Sequence, residues 1–152
     1  MAPSDSVSEN PDWRVSLDAI RTRRVADDEG KPLFGEQLID VERGKAVFRL
    51  SITPAVGGGA AGGVHGGVLS ALADISVTTA VLSVCRRNDH MRGTAELNIS
   101  YLRPARGQSL TATATIIKKG RMLVVGHVDI ANDDGTIVAT GRVTYALTQI
   151  DR

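Results

Sequence analysis

A single cysteine, Cys85, in 152 residues rules out an internal disulfide and any cage of thiolates around a metal. It also fits a reducing compartment, so a cytoplasmic address is expected. Net charge is nearly as scarce: 18 Lys and Arg against 17 Asp and Glu leave a formal charge of +1. Binding driven by nucleic-acid phosphates needs many clustered cations, so nucleic acid is not expected as a partner and any basic patch must be local. The segment Met1-Ala2-Pro3-Ser4-Asp5 lacks the basic region and apolar run of an export signal, so export is not expected. The stretch 66–84 comes nearest to a membrane span. However, Asp74 sits near its middle, where a charge in hydrocarbon is expensive, and Ser70, Ser76, Thr78, Thr79 and Ser83 add polarity. A buried helix is the better reading, and no membrane partner is expected. With 42% hydrophobic and 23% charged residues, the chain is long enough to bury roughly two-thirds of its unfolded surface in one domain.

What is there falls into an ordered series of elements. Residues 1–10 read as a polar tail, and 11–152 as the single domain. Asn10-Pro11-Asp12 supplies an N-cap, a proline for the first turn and an acid for the helix dipole. Trp13, Leu17 and Ile20 then form one apolar stripe of a short helix. Two strand-like runs, 33–41 and 45–52, flank Glu42-Arg43-Gly44 at hairpin spacing. A glycine-rich loop follows (Gly57, Gly58, Gly59, Gly62, Gly63), leading into a long helix from about His65 to Val84. Four further strands are predicted at 94–102, 109–118, 122–131 and 136–148, the last two joined by the hairpin signal Asn132-Asp133-Asp134-Gly135. Strands grouped on either side of one helix, without alternation, give an α+β fold with an antiparallel sheet. A six-stranded sheet hides a lone apolar helix best by curling around it. The exposed edges then invite a second copy.

The chemistry concentrates in Val64-His65-Gly66-Gly67 and the helix that follows. Asp74 lies among Leu72, Ala73, Ile75 and Val77, which offer a carboxylate nothing. Desolvating an ionised carboxylate costs several kcal/mol unless something compensates, so Asp74 is the first candidate catalytic residue. Gly66 opens the helix, where backbone N–H groups are unpaired and the macrodipole is positive. Other motifs carry less. Gly57-x-Gly59-x-x-Gly62 fits a dinucleotide fingerprint in form, but no βαβ repeat follows. Val64-His65 stands where a phosphate loop needs Lys-Ser/Thr. Asp89-His90 is too small to be a metal site and reads as a solvated loop. His127 and Asp129 alternate on a half-exposed strand, and Cys85 reads as an inert thiol. No metal is expected.

Four motifs in order resemble the hotdog-fold acyl-CoA thioesterases, specifically the PaaI-like (phenylacetate-pathway) branch of the 4-hydroxybenzoyl-CoA thioesterase superfamily. They are His65-Gly66-Gly67 with Asp74 nine positions on, Glu96-Leu97-Asn98-Ile99-Ser100-Tyr101-Leu102-Arg103-Pro104-Ala105, Lys118-Lys119-Gly120-Arg121, and Ala139-Thr140-Gly141-Arg142-Val143-Thr144-Tyr145. The resemblance covers about 34–147. It implies a homodimer, often doubled to a homotetramer, with active sites at the subunit interface, an acyl-CoA substrate and no cofactor. Helical rise puts His65 and Asp74 about 13 Å apart, too far to act on one carbonyl from the same subunit, and a partner chain removes the difficulty.

By the resemblance, the Gly66 N–H serves as oxyanion donor, His65 orients the loop or contacts the thioester, and Thr94 helps hold an attacking water. An apolar setting strengthens Asp74 as a base, acting on water or as the nucleophile; sequence leaves both open. Gly67 borders the substrate, and Arg103, Arg106, Lys118, Lys119 and Arg121 are the candidates for the coenzyme A phosphates. One position departs from the family: relatives commonly carry Asn or Gln six residues before the histidine, where this chain has Gly59. That departure keeps a second reading open, a non-catalytic acyl-CoA-binding sensor or scaffold. A hotdog dehydratase would need a second histidine near the helix, and none is there.

Overall fold

The computed structural model describes residues 28–29 and 31–149. The expected tail and the short helix at Asn10-Pro11-Asp12 lie outside the described residues. Six strands, β1 (Glu36–Glu42), β2 (Lys45–Ser51), β3 (Asp89–Tyr101), β4 (Ser109–Lys119), β5 (Leu123–Asn132) and β6 (Ile137–Gln149), form one sheet. Their order is β1-β2-β4-β5-β6-β3, and every pairing is antiparallel. The helix α1 (Gly66–Val84) touches all six strands and packs most on β2, β4 and β5. The expected α+β architecture is therefore present: an antiparallel six-stranded sheet around one long helix.

Alternation explains the sheet. On β4, Leu110, Ala112 and Ala114 point inward and are fully buried. On β5, Val124, Val128 and Ile130 do the same, while β2 contributes Phe48 and Leu50. Each large side chain so buried stabilises the fold by about 2 kcal/mol. The helix fits because its own residues are small. Beside β5 it comes so close that a Cβ on Gly126 would lie 2.6 Å from Val77 Cγ1. Glycine is required there, and the contact fixes the turn of α1 that follows Asp74.

Although α1 is long and apolar enough to cross a membrane, 67% of its most apolar window is buried inside this fold. The buried hydroxyls of Ser76, Thr79 and Ser83 are satisfied by the carbonyls of Leu72, Ile75 and Ala80 at 2.7, 2.9 and 2.7 Å, so they cost little inside the core.

Two boundaries differ from expectation. β3 begins at Asp89, five residues before the predicted start, because Asp89, His90 and Met91 pair across the sheet with Gln149, Thr148 and Leu147. Asp89-His90 is thus the start of a strand and not a solvated loop. β1 begins at Glu36, after a turn in which Gly35 takes φ 74°. The sheet ends in β1 on one side and β3 on the other. β3 carries bulges at Met91/Gly93 and Thr94/Glu96 and is exposed over most of its length.

Candidate active site

The loop before α1 is held by its backbone. Val64 N–H donates to Ala105 O at 3.0 Å, His65 N–H to Val56 O at 2.9 Å, and Gly59 N–H to Gly63 O at 2.9 Å. The last bond closes the loop so tightly that a Cβ on Gly59 would sit 2.2 Å from Val64 O. Gly59 therefore has no room for the Asn or Gln that the resemblance places there.

His65 is the N-cap of α1, and its Nδ1 accepts from Gly67 N–H at 2.9 Å. The capping interaction leaves only Nε2 of the ring free to face a substrate, and it takes the Gly67 N–H out of use. Among the described residues, the Gly66 N–H has no hydrogen-bond partner. It is the first amide of the helix, where the dipole places partial positive charge.

Tyr101, at the end of β3, completes this corner. Its hydroxyl donates to Gly66 O at 2.9 Å and lies 2.6 Å from Ser70 Oγ. A Cβ on Gly66 would lie 3.3 Å from Tyr101 Cζ and 3.4 Å from its hydroxyl oxygen. The ring thus occupies the space a side chain at 66 would need. Sequence reasoning gave no role to Tyr101 or Ser70; the available signal was a tyrosine closing a strand just ahead of Arg103-Pro104. Gly59, Val64, Gly66, Leu69, Tyr101 and Arg103 are among the residues lining a cleft of about 430 Å³, within the range of small-molecule sites.

Asp74 is half-buried, not sunk in the core. It belongs to a stripe of α1, with Ser70, Ala71, Ile75 and Thr78, that its own sheet covers only in part. Thr94 from β3 donates its hydroxyl to Asp74 Oδ1 at 2.5 Å, so the carboxylate does have a local partner. Beside Thr94 across the sheet stands Tyr145, whose phenol is pushed up by burial and by the charge of Asp74. Within one chain, eight residues of helix separate Gly66 and Asp74 by about 12 Å; the structure joins Asp74 to Thr94 and Gly66 to Tyr101, not the two pairs to each other.

The expected cations fall into two groups at opposite ends of α1, whose 19 residues span about 28 Å. Near Gly66, Arg103 Nη1 donates to Ile137 O at 3.1 Å and the Arg106 guanidinium to Ala61 O. Beyond Val84, a second cleft of about 350 Å³ is lined by Arg86, Lys119, Gly120, Arg121 and Gln149. There Lys119 pairs with the buried Asp89 at 2.7 Å, and Arg121 Nε donates to Gln149 Oε1 at 2.9 Å. Burial disfavours the Asp89 charge, but Lys119, the Arg86 N–H and Gln149 outweigh it and hold the carboxyl below its usual range. Lys118 is exposed on β4.

Burial pushes the Cys85 thiol up to about 11, consistent with an inert thiol. His127 and Asp129 are hydrogen-bonded at 3.0 Å, and Thr140 donates to Asp129 at 2.7 Å; both acid and imidazole are half-exposed on the sheet, as expected.

Comparison with known proteins points one way. Residues 61–139, just over half of the chain, match the thioesterase superfamily profile. The chain is 32% identical over 94 residues to a medium/long-chain acyl-CoA thioesterase, YigI, of Salmonella typhimurium, covering 54% of this chain and 61% of that protein. It thus spans about three-fifths of the length of that relative. A thioesterase family protein from Silicibacter pomeroyi superposes with a TM-score of 0.78 at 20% identity, covering 91% of this chain and 99% of the other. The PaaI protein of the phenylacetic acid degradation operon of Escherichia coli gives 0.67 at 24% identity, covering 88% and 92%. These two likenesses establish a common fold, the hotdog.

Proposed function

Because the chain belongs to the thioesterase superfamily, we propose that it hydrolyses the thioester of an acyl-CoA, aliphatic or small aromatic, at a site shared by two copies of the chain. The observation that carries the reading is the Gly66 N–H: an unpaired amide at a helix N-terminus, lining a cleft. An amide so placed stabilises the oxyanion that forms when a thioester carbonyl is attacked. Asp74 of the second copy, held by its Thr94, faces the same carbonyl from the other side. As a general base it takes a proton from water while the oxygen adds to carbon. The C–S bond then breaks, the proton passes to the departing sulfur, and a carboxylic acid and free coenzyme A result. As a nucleophile, its carboxylate adds to the carbonyl and the C–S bond breaks to release the coenzyme A thiolate, which takes a proton from water. The resulting mixed anhydride is hydrolysed to the acid and free Asp74. Neither route calls for a metal or an organic cofactor.

The edge strand supports the sharing. β3 is 13 residues long with Leu97 36% and Tyr101 52% exposed, and an edge of that kind is a template for pairing. A two-fold antiparallel pairing of β3 with a second β3 brings the Asp89 end of one beside the Tyr101 end of the other. The cleft at Arg86, Lys119 and Arg121 then lies on the same side as the partner's Gly66 cleft, which gives the two groups of cations one coenzyme A to hold: Arg103 and Arg106 from one copy, Lys118 and Arg121 from the other. Lys119, already paired with Asp89, contributes less. Pairing of such dimers into a tetramer, and a cytoplasmic address, belong to the same proposal. Thiol release measured across short, long and aromatic acyl-CoAs tests the reading. Hydrolysis of at least one class is expected; binding of all without hydrolysis would instead make the chain an acyl-CoA sensor or scaffold.

A further inference from the structure

The turn that presents the Gly66 N–H is held by backbone bonds at Val64 and His65 but by few side chains of its own. Gly57, Gly58, Gly59, Gly62, Gly63, Gly66 and Gly67 surround it, so almost no side chain within the loop can brace it. His65, the one polar side chain at the cap, folds back on Gly67. Glycine loses more conformational freedom on ordering than any other residue, so a side-chain anchor beside Gly66 itself adds to what the backbone bonds hold.

Tyr101 is placed to be that anchor. A phenol has one proton to give, and here it goes to Gly66 O at 2.9 Å. The contact of 2.6 Å with Ser70 must then be a bond donated by the serine hydroxyl. The resulting chain, Ser70 to Tyr101 to Gly66, ties the first turn of α1 to itself through a residue of β3. The ring also packs on Gly66 so closely that a Cβ there would lie 3.3 Å from Cζ. Both the hydroxyl and the ring therefore act on the single residue whose amide faces the cleft.

We propose that Tyr101, backed by Ser70, is a positioning residue for the oxyanion site: it fixes the direction of the Gly66 N–H without itself taking part in proton transfer. The proposal rests on the thioesterase reading above. A misplacement of about 1 Å at a reacting group can cost on the order of a hundredfold in rate, so a hydroxyl that only aims the amide has a measurable kinetic signature. It acts on kcat and leaves ground-state binding, and so KM, nearly alone.

Four proteins decide it: wild type, Tyr101→Phe, Ser70→Ala and the double variant, each followed by kcat and KM on the best acyl-CoA, by thermal unfolding, and by amide hydrogen exchange over residues 66–70. Tyr101→Phe is expected to lower kcat about tenfold or more, with KM within about twofold. It should also speed exchange at Val68 and Leu69, whose amides both bond to His65 O. The double variant should be no worse than Tyr101→Phe, because the two hydroxyls form one chain. A Tyr101→Phe enzyme with wild-type kcat, or with a loss in KM alone, overturns the positioning role while leaving the thioesterase standing. A wild-type protein that hydrolyses no acyl-CoA overturns both.

Discussion

In the proposed reaction two residues, Asp74 and Gly66, divide the chemistry, and each has a substitution that removes its part. Asp74→Asn keeps the shape of a half-buried side chain and removes the base, so kcat should fall at least about a hundredfold with the melting temperature nearly unchanged. Gly66→Pro deletes that N–H and also sets its ring against Tyr101, whose Cζ lies 3.3 Å from a Cβ at 66, so its loss of activity reports on the whole Gly66–Tyr101 corner. Proline suits the first helical position, and the extended ψ of 136° at His65 is what a residue before proline prefers. The helix should therefore still start, with kcat down about a hundredfold to a thousandfold; steady-state kinetics beside far-ultraviolet circular dichroism checks both. Asp74 stands out in the sequence as a candidate because a lone acid in an apolar helix has few explanations, and the helix start at Gly66 is legible because His-Gly-Gly marks it. Thr94 could be placed only through the family resemblance. Tyr101 is not legible, since its partners Gly66 and Ser70 lie 35 and 31 positions away and an aromatic at a strand end has a bland local reading.

Among the elements, the helix and the hairpins announce themselves locally, by caps and turn residues, and their limits were readable to within a few positions. The first five residues of β3 were not, because Asp89 and His90 become strand only through pairing with β6. Asp89 also anchors that corner. Its side chain is 1% exposed and its partner Lys119 16%, so Lys119→Met strands a buried carboxylate and should destabilise the fold by roughly 3 kcal/mol in denaturant unfolding. The pH dependence has a definite sign. Asp89 titrates below its ordinary 3.8 in the folded chain, so its contribution is complete at neutral pH and is lost as the pH falls below that value. The stability of the wild type should drop more steeply there than that of Lys119→Met. On the sheet, Gly126→Ala drives a methyl into Val77, 2.6 Å away, and should cost about 1–3 kcal/mol. A variant as stable as wild type would show that α1 is not held against β5 as described.

For the whole molecule, the fold class and the β1–β2 and β5–β6 hairpins were readable, but nothing local says that β3, formed right after the helix, crosses to pair with β6 at the far edge. That crossing leaves Leu97 and Tyr101 on an open edge and Asp74 on a partly covered helix face, and the proposed shared site follows from it. Leu97→Arg at this edge should shift sedimentation toward monomer and remove activity in parallel; an active monomer would refute the shared site. Subunit complementation tests the claim most directly. Asp74→Asn and Gly66→Pro chains, each inactive alone, are mixed and allowed to exchange. If each site takes Gly66 from one chain and Asp74 from the other, half of the exchanged dimers are mixed and each has one intact site, so about a quarter of wild-type activity should return. A mixture that exchanges subunits yet stays as inactive as its parents would contradict the account.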